Sequence, residues 1–179
     1  MNQRATIDDV AKLAGVSIAT VSRVISKSDR VRASTRAQVL QAIEDLHYQP
    51  DASARALASG RTYTVGCVIP TLDHSIFARA TQAMQTVLSD AGFQLLVGSS
   101  NYESNTELQV VRAFQQRGVD ALVLVGTDHA ASMWDAVTQW GKPALLSWSC
   151  DPRLPSVGFD NVTIAKHMTE HLLSLGHER

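Results

Sequence analysis

The sequence predicts a helical N-terminal headpiece followed by a parallel-sheet α/β domain, an α plus α/β chain. Residues 6–46 carry apolar side chains at helical spacing and nothing that alternates like a strand. From Tyr63 onward, short β-branched apolar runs alternate with helical stretches. The charge also breaks between the two parts. Residues 1–62 hold nine Lys/Arg, from Arg4 and Lys27 to Arg61, against six Asp/Glu; the rest holds seven against eleven. A basic head on an acidic body fits a polyanion-binding module joined to an independent domain.

Thr6 opens the first helix, with Asp9 three residues on as a capping-box partner and Ile7, Val10, Ala11 and Ala14 as the apolar face. Gly15 breaks the pattern. Ser17 caps a second helix that buries Val21, Val24 and Ile25. Ser34 is read as the cap of a third, with Val39, Ile43 and Leu46 as its stripe, ending before Tyr48-Gln49-Pro50. Asp51 caps a short fourth helix, Ala52–Ala58, which stops at Ser59-Gly60.

In the second part, strands are expected at Val65–Ile69, Phe93–Val97, Ala121–Val125, Ala144–Ser147 and Val157–Phe159. Helices are expected at about Phe77–Ala91, Glu103–Arg117, Ala131–Trp140 and Val162–Leu175. Gly92, Gly118, Gly141 and Gly176 follow them as C-cap glycines. This alternation means βαβ units with right-handed crossovers, and the apolar runs read as strands buried on both faces. The domain limits so read are 1–50 for the headpiece, 51–61 for a hinge or linker and 62–179 for the α/β part.

Cys67 and Cys150 both sit in apolar runs and read as buried free thiols. The start Met1-Asn2-Gln3-Arg4 has no apolar signal region, and no apolar run is long enough to cross a membrane. A cytoplasmic protein with no membrane partner is therefore expected.

Residues 7–24 fit a helix-turn-helix position by position. Ala11 is small where two helices cross, Gly15 takes the turn, and Val21, six beyond it, wedges the second helix on the first. That presents the N-terminal end of a recognition helix, Ser17 to about Ser26, to a DNA major groove. Thr6, Ser17, Thr20 and Ser22 carry hydroxyls suited to phosphate contacts, which position the helix. Ile18, Ala19 and Arg23 remain facing outward for base readout. Arg23 suits a bidentate contact to guanine, and Ile18 and Ala19 suit shape or a thymine methyl. The blander alternatives are an N-cap for Ser17 and a solvated charge for Arg23.

The run Thr6-Ile7-Asp8-Asp9-Val10-Ala11-Lys12-Leu13-Ala14-Gly15-Val16-Ser17, followed by Thr20-Val21-Ser22-Arg23-Val24-Ile25, resembles the signature of the lactose-repressor (LacI/GalR) family. The likeness continues through Val31, Thr35-Arg36, Tyr48-Gln49-Pro50 and Arg55-Ala56-Leu57-Ala58. It implies a transcription regulator, a repressor, acting as a homodimer on a pseudopalindromic double-stranded operator. It implies a hinge helix over Asp51–Ala58, with Arg55, Leu57 and Ala58 at the minor groove and Leu57 wedged into a central CpG step. The bland alternative is a plain linker. A segment this short does not hold as an isolated helix in water, so ordering only on DNA is expected.

The same resemblance implies a periplasmic-binding-protein-like sensor for a small effector: a sugar, a sugar acid or a nucleobase. In an open parallel sheet the ligand sits at the carboxyl ends of the strands. The candidate effector residues there are His74, Phe77, Asn101, Thr127, Trp148 and Asp160, with Phe77 and Trp148 as stacking surfaces. Many relatives carry an acidic residue where this chain has Trp148, which leaves the ligand open. Family members are nearly twice as long, so a chain cut after the first sensor subdomain is expected, either a fragment or a short gene product. A short product would respond weakly to effector and would dimerise through the first sensor subdomain and the hinge.

No catalytic residue, cofactor or metal is called for. His167 and His171, four apart, read as a surface pair without a third ligand. Gly98-Ser99-Ser100-Asn101 lacks phosphate-loop spacing, and Ser147 and Ser149 lack the flanking glycines of a nucleophile elbow. Asp128-His129 reads as an acid/base pair or, more simply, as a loop contact to a ligand hydroxyl.

Overall fold

The computed structural model describes residues 5–26 and 29–177, the side chains of Ala52 and Ala58 excepted. Arg4, Lys27 and the Ala58 side chain, all named above, therefore lie outside the described residues. The chain divides into two compact units, Met1–Ala58 and Ser59–Arg179.

The first unit contains α1 (Ile7–Leu13), α2 (Ile18–Ile25) and α3 (Ala33–Asp45), followed by α4 (Ala52–Ser59). Thr6 closes the capping box: its Oγ1 accepts from Asp9 N at 3.3 Å, and the Asp9 carboxylate accepts from Thr6 N at 2.9 Å. The hydroxyl and amide of Thr6 hold the Asp9 carboxyl below its usual range. Val10, Ala11, Val21, Val24, Val39 and Ala42 form the buried core, with Ile7, Ala14, Val16, Ile43 and Leu46 packed around them. The third helix starts two residues earlier than a Ser34 cap requires. Arg32 takes the N-cap position without a side-chain bond, its carbonyl accepting from Arg36 N at 2.9 Å, and Ser34 falls inside the first turn.

The second unit runs β1 (Thr64–Ile69), α5 (Ser75–Asp90), β2 (Gln94–Ser99), α6 (Ser104–Gln116), β3 (Ala121–Val125), α7 (Ala131–Thr138), β4 (Ala144–Trp148), β5 (Ser156–Gly158) and α8 (Asn161–Ser174). The five strands form one parallel sheet in the order β2-β1-β3-β4-β5, with Cys67 of β1 between Val97 of β2 and Val123 of β3. Right-handed crossovers put α6 and α7 on one face and α5 on the other.

Beneath α6 and α7 lies the main core: Val68, Val111, Phe114, Leu122, Leu124, Met133, Trp134, Val137 and Leu146. Helix α6 approaches β1 and β2 over two glycines. A Cβ on Gly66 would meet Phe114 and Leu122, and one on Gly98 would run into Val110 and Phe114. Gly98 is thus a packing residue inside β2. At the opposite end of the sheet the Asp120 carboxylate accepts from Thr62 N at 3.2 Å and Tyr63 N at 2.7 Å, fixing the start of β1.

Two expectations change. Strand β1 is buried on both faces as expected, but β3 alternates between half-buried and buried residues, because α6 and α7 cover its Leu122 and Leu124 side completely. Cys67 is buried, and burial pushes its thiol up to about 12, but Cys150 is exposed because it lies beyond the end of β4 in the loop to β5. Helix α8 buries no residue, and Ile164, Met168, Leu172 and Leu173 on it are exposed.

Gly98→Ala tests the close packing of α6. It should lower the unfolding free energy of the second unit by about 1–3 kcal/mol in urea, as overpacking does. An unchanged midpoint would refute the close approach.

Candidate functional sites

The turn between α1 and α2 is a Schellman motif. Val16 N donates to Ala11 O at 3.0 Å and Gly15 N to Lys12 O at 3.3 Å, with Gly15 at φ +63°. Ser17 then caps α2: its Oγ accepts from Thr20 N at 3.3 Å and lies 3.0 Å from Thr20 Oγ1. With Val21 and Val24 buried, the opposite side of α2 presents Ile18, Ala19, Ser22 and Arg23 to solvent. Arg23 pairs with no acidic group among the described residues. The first N–H groups of α2, at Ile18 and Ala19, have no intrahelical acceptor, as at any helix start. Thr6 is placed differently from the other three hydroxyl residues, since its Oγ1 donates to Asp9 at 2.7 Å.

Against the expectation of order only on DNA, Ala52–Ser59 is helical here without DNA; Asp51 precedes it, its carboxylate accepting from Ser53 N at 2.8 Å. Ser53, Ala54 and Arg55 are exposed, and Leu57 is 90% exposed. A leucine so placed forgoes about 1.5–3 kcal/mol of burial.

The second unit has a cleft of about 630 Å³ at the carboxyl ends of its strands. Its walls come from the ends of β1 (Pro70), the β2–α6 connection (Ser100, Tyr102, Glu103, Ser104), the loop after β3 (Val125 to Ala130) and β4 (Trp148, Ser149), with Phe77 of α5 and Glu107 of α6. Of the six candidate effector residues, Phe77, Thr127 and Trp148 line it. Phe77 and Trp148 stand 5.4 Å apart between ring centroids, tilted by 51°. Trp148 sits at φ +72°, a strained conformation for a bulky residue that costs about 1 kcal/mol or more.

His74, Asn101 and Asp160 are not among the lining residues. His74 is the α5 N-cap, with its ring 6.4 Å from Phe77. The Asn101 side chain turns back to accept from Ser99 Oγ at 3.2 Å. Asp160 caps α8, accepting from Thr163 N at 3.0 Å and Thr163 Oγ1 at 2.6 Å, and these bonds lower its carboxyl.

Tyr102, Glu103, Glu107, Asp128 and His129 complete the walls. His129 pairs with Glu107 rather than with its neighbour Asp128. Its Nδ1 lies 3.0 Å from both carboxylate oxygens and its Nε2 3.1 Å from Gly126 O; the side chain is 2% exposed. Behind it the Trp134 ring meets the imidazole edge-on at 5.1 Å, and the Arg153 guanidinium lies 3.7 Å over Trp134. Asp151 holds that guanidinium at 2.7 Å. The cleft floor is therefore backed by a stack of Asp151, Arg153, Trp134 and His129 ending on Glu107. His167 and His171 lie on exposed α8, and no group of three or more metal-ligating side chains occurs among the described residues.

Residues 6–51 match the family model of bacterial regulatory proteins, lacI family. Residues 62–179 match that of periplasmic binding proteins and the sugar binding domain of the LacI family. The chain belongs to the LacI family. It is 33% identical over 176 residues to catabolite control protein A of Streptococcus mutans, across 97% of this chain and 53% of that protein. A LacI-family regulator from Silicibacter pomeroyi superposes with a TM-score of 0.81 at 29% identity, covering 98% of this chain and 53% of the other. The lac repressor dimer bound to operator and the anti-inducer ONPF superposes at 0.83 with 26% identity, covering 99% and 55%. This LacI-family chain spans about half the length of the curated relatives it matches. The relatives matched are regulators by name.

Sequence reasoning placed Phe77, Thr127 and Trp148 at the cleft but missed the Glu107–His129 pair. The two lie 22 positions apart on separate elements. A glutamate in the first turn of α6, following β2, was the one local signal.

The stack has a titration signature. The Arg153 guanidinium holds Asp151 down from 3.8 to about 2. A depressed carboxyl favours the folded state above the ordinary value, and that contribution is lost as pH falls through about 2. Arg153→Ala should move the Asp151 midpoint, followed by carboxyl NMR, up toward 3.8. A midpoint that stays put would remove Arg153 as the cause.

Proposed function

We propose that this chain is a sequence-specific DNA-binding transcription regulator, a repressor, that pairs as a homodimer on a pseudopalindromic operator and carries a cleft for a sugar-like effector. The assignment divides the chain as headpiece 1–50, hinge 51–61 and sensor 62–179. It places the work in the cytoplasm, on nucleoid DNA, and assigns no catalysis. The observation that carries it is the exposed face of α2, set by the Gly15 turn and presenting Ile18, Ala19 and Arg23 beside hydroxyls at Ser17 and Ser22. Membership of a family with an operator-bound dimer supports it.

In this reading the N-terminal end of α2 enters the major groove. Arg23 donates two hydrogen bonds to a guanine edge, while Ile18 and Ala19 fit the neighbouring pair by shape or methyl contact. Ser17, Thr20 and Ser22 hold the flanking phosphates, and Thr6 contributes through the start of α1. Leu57 enters the minor groove between Arg55 and Ala58 of each hinge and recovers there the burial it lacks in the free chain. Effector in the cleft shifts the population between hinge-folded and hinge-unfolded states by its differential affinity for them.

Arg23→Ala should weaken specific operator binding by about 1–3 kcal/mol and relax preference at one base pair. Leu57→Ala should reduce operator affinity while leaving salt-sensitive binding to random duplex nearly unchanged. Fluorescence anisotropy on operator and random DNA reads both. Equal losses on the two DNAs for Leu57→Ala would remove the wedge, and unaltered base preference for Arg23→Ala would remove the direct contact.

A further inference from the structure

The charge of the cleft wall narrows the effector class. Building on the sensor reading above, we infer that the cleft accepts a hydroxylated ring compound that is neutral or positively charged, and rejects its carboxylated or phosphorylated counterparts. Among the described residues the lining carries three carboxylates, Glu103, Glu107 and Asp128, and no lysine or arginine. Its one basic side chain, His129, has an acceptor against each ring nitrogen: the Glu107 carboxylate at Nδ1 and Gly126 O at Nε2. Both N–H positions are committed inside the wall, so the imidazole has none left to give an anion. Even with that ring protonated, three carboxylates leave the wall net negative.

Helix N-termini attract anions, and three helices start at this cleft: α5, which brings Phe77 and has Asp73 one residue before its His74 N-cap, and α6 and α7, which already have carboxylates beside them. Glu103 is the N-cap of α6 and Glu107 lies in its first turn, while Asp128 stands two residues before the Ala130 N-cap of α7. These resident charges meet the helix-end dipoles that an anionic ligand would otherwise use. A hydroxylated ring suits what remains. Carboxylate oxygens accept from hydroxyl or ammonium groups, and the tilted Phe77–Trp148 pair offers an aromatic corner to the apolar face of a ring. The strained backbone at Trp148 holds one side of that corner.

The test is thermal unfolding of the purified chain with matched probe sets. These are glucose, glucosamine and glucuronate; the corresponding galactose set; ribose and ribose 5-phosphate; and cellobiose and cellobionate. Within a set that binds, the neutral or aminated member should raise the unfolding temperature and bind at least tenfold more tightly than its anionic counterpart. The double variant Glu103→Gln, Asp128→Asn should narrow that gap, and Trp148→Ala should remove the shift. If anionic members bind as well as or better than the others, or the double variant leaves the gap unchanged, the charge rule falls and the sensor reading stands. If no member of any set shifts the transition, the sensor reading falls and takes the charge rule with it.

Discussion

The headpiece depends on one residue that carries no side chain. Helix α1 ends and α2 begins with only four residues between them, and the chain reverses there because Gly15 takes φ +63° while Val16 and Gly15 return their amides to Ala11 and Lys12. A Cβ at that position would be strained. Given that turn, Val21 and Val24 meet Val10 and Ala11 in a dry core, and the remaining side of α2 has nowhere to face but outward. The surface assigned to DNA is therefore a geometric consequence of how the core is closed.

The α/β unit is governed by a comparable closeness. Gly66 and Gly98 let α6 lie against β1 and β2, which puts the first turn of α6, with Glu107, at the carboxyl ends of the strands. Glu107 meets His129 only because α6 and the loop after β3 converge there. Trp134 and Arg153, from α7 and the β4–β5 connection, stack behind the histidine and keep its ring from turning. The cleft is thus shaped from behind by packed side chains, while its aromatic corner is held by backbone strain at Trp148.

Much of this was legible in the sequence wherever the determinant was local. The Thr6–Asp9 capping box, the Gly15 turn, the Val21 wedge and the alternation of strands with helices rest on spacings of a few residues, and the structure reproduces them. Ser34 misled because any serine before an apolar stripe resembles a cap, whereas the backbone became helical two residues earlier, from Ala33. Cys150 misled because its apolar neighbours belong to a strand that ends before it. Asn101 and Asp160 lie near the right loops, but their side chains bond within two or three residues of themselves, a competition that composition does not reveal. The Glu107–His129 pair needed the fold, since no local pattern joins residues 22 apart. The exposed face of α8 was equally invisible, because periodicity marks an apolar stripe without saying what covers it.

The central claim is that the exposed face of α2 reads DNA sequence and that paired hinges complete the contact. Its most direct test is selection of bound sites from a random duplex library with the purified chain at about 0.1 M salt, where screening over ~10 Å leaves specific contacts to decide the outcome. The account predicts enrichment of an inverted repeat with a CG step at its centre. Recovery of no enriched motif, with binding that depends on salt alone, would contradict it.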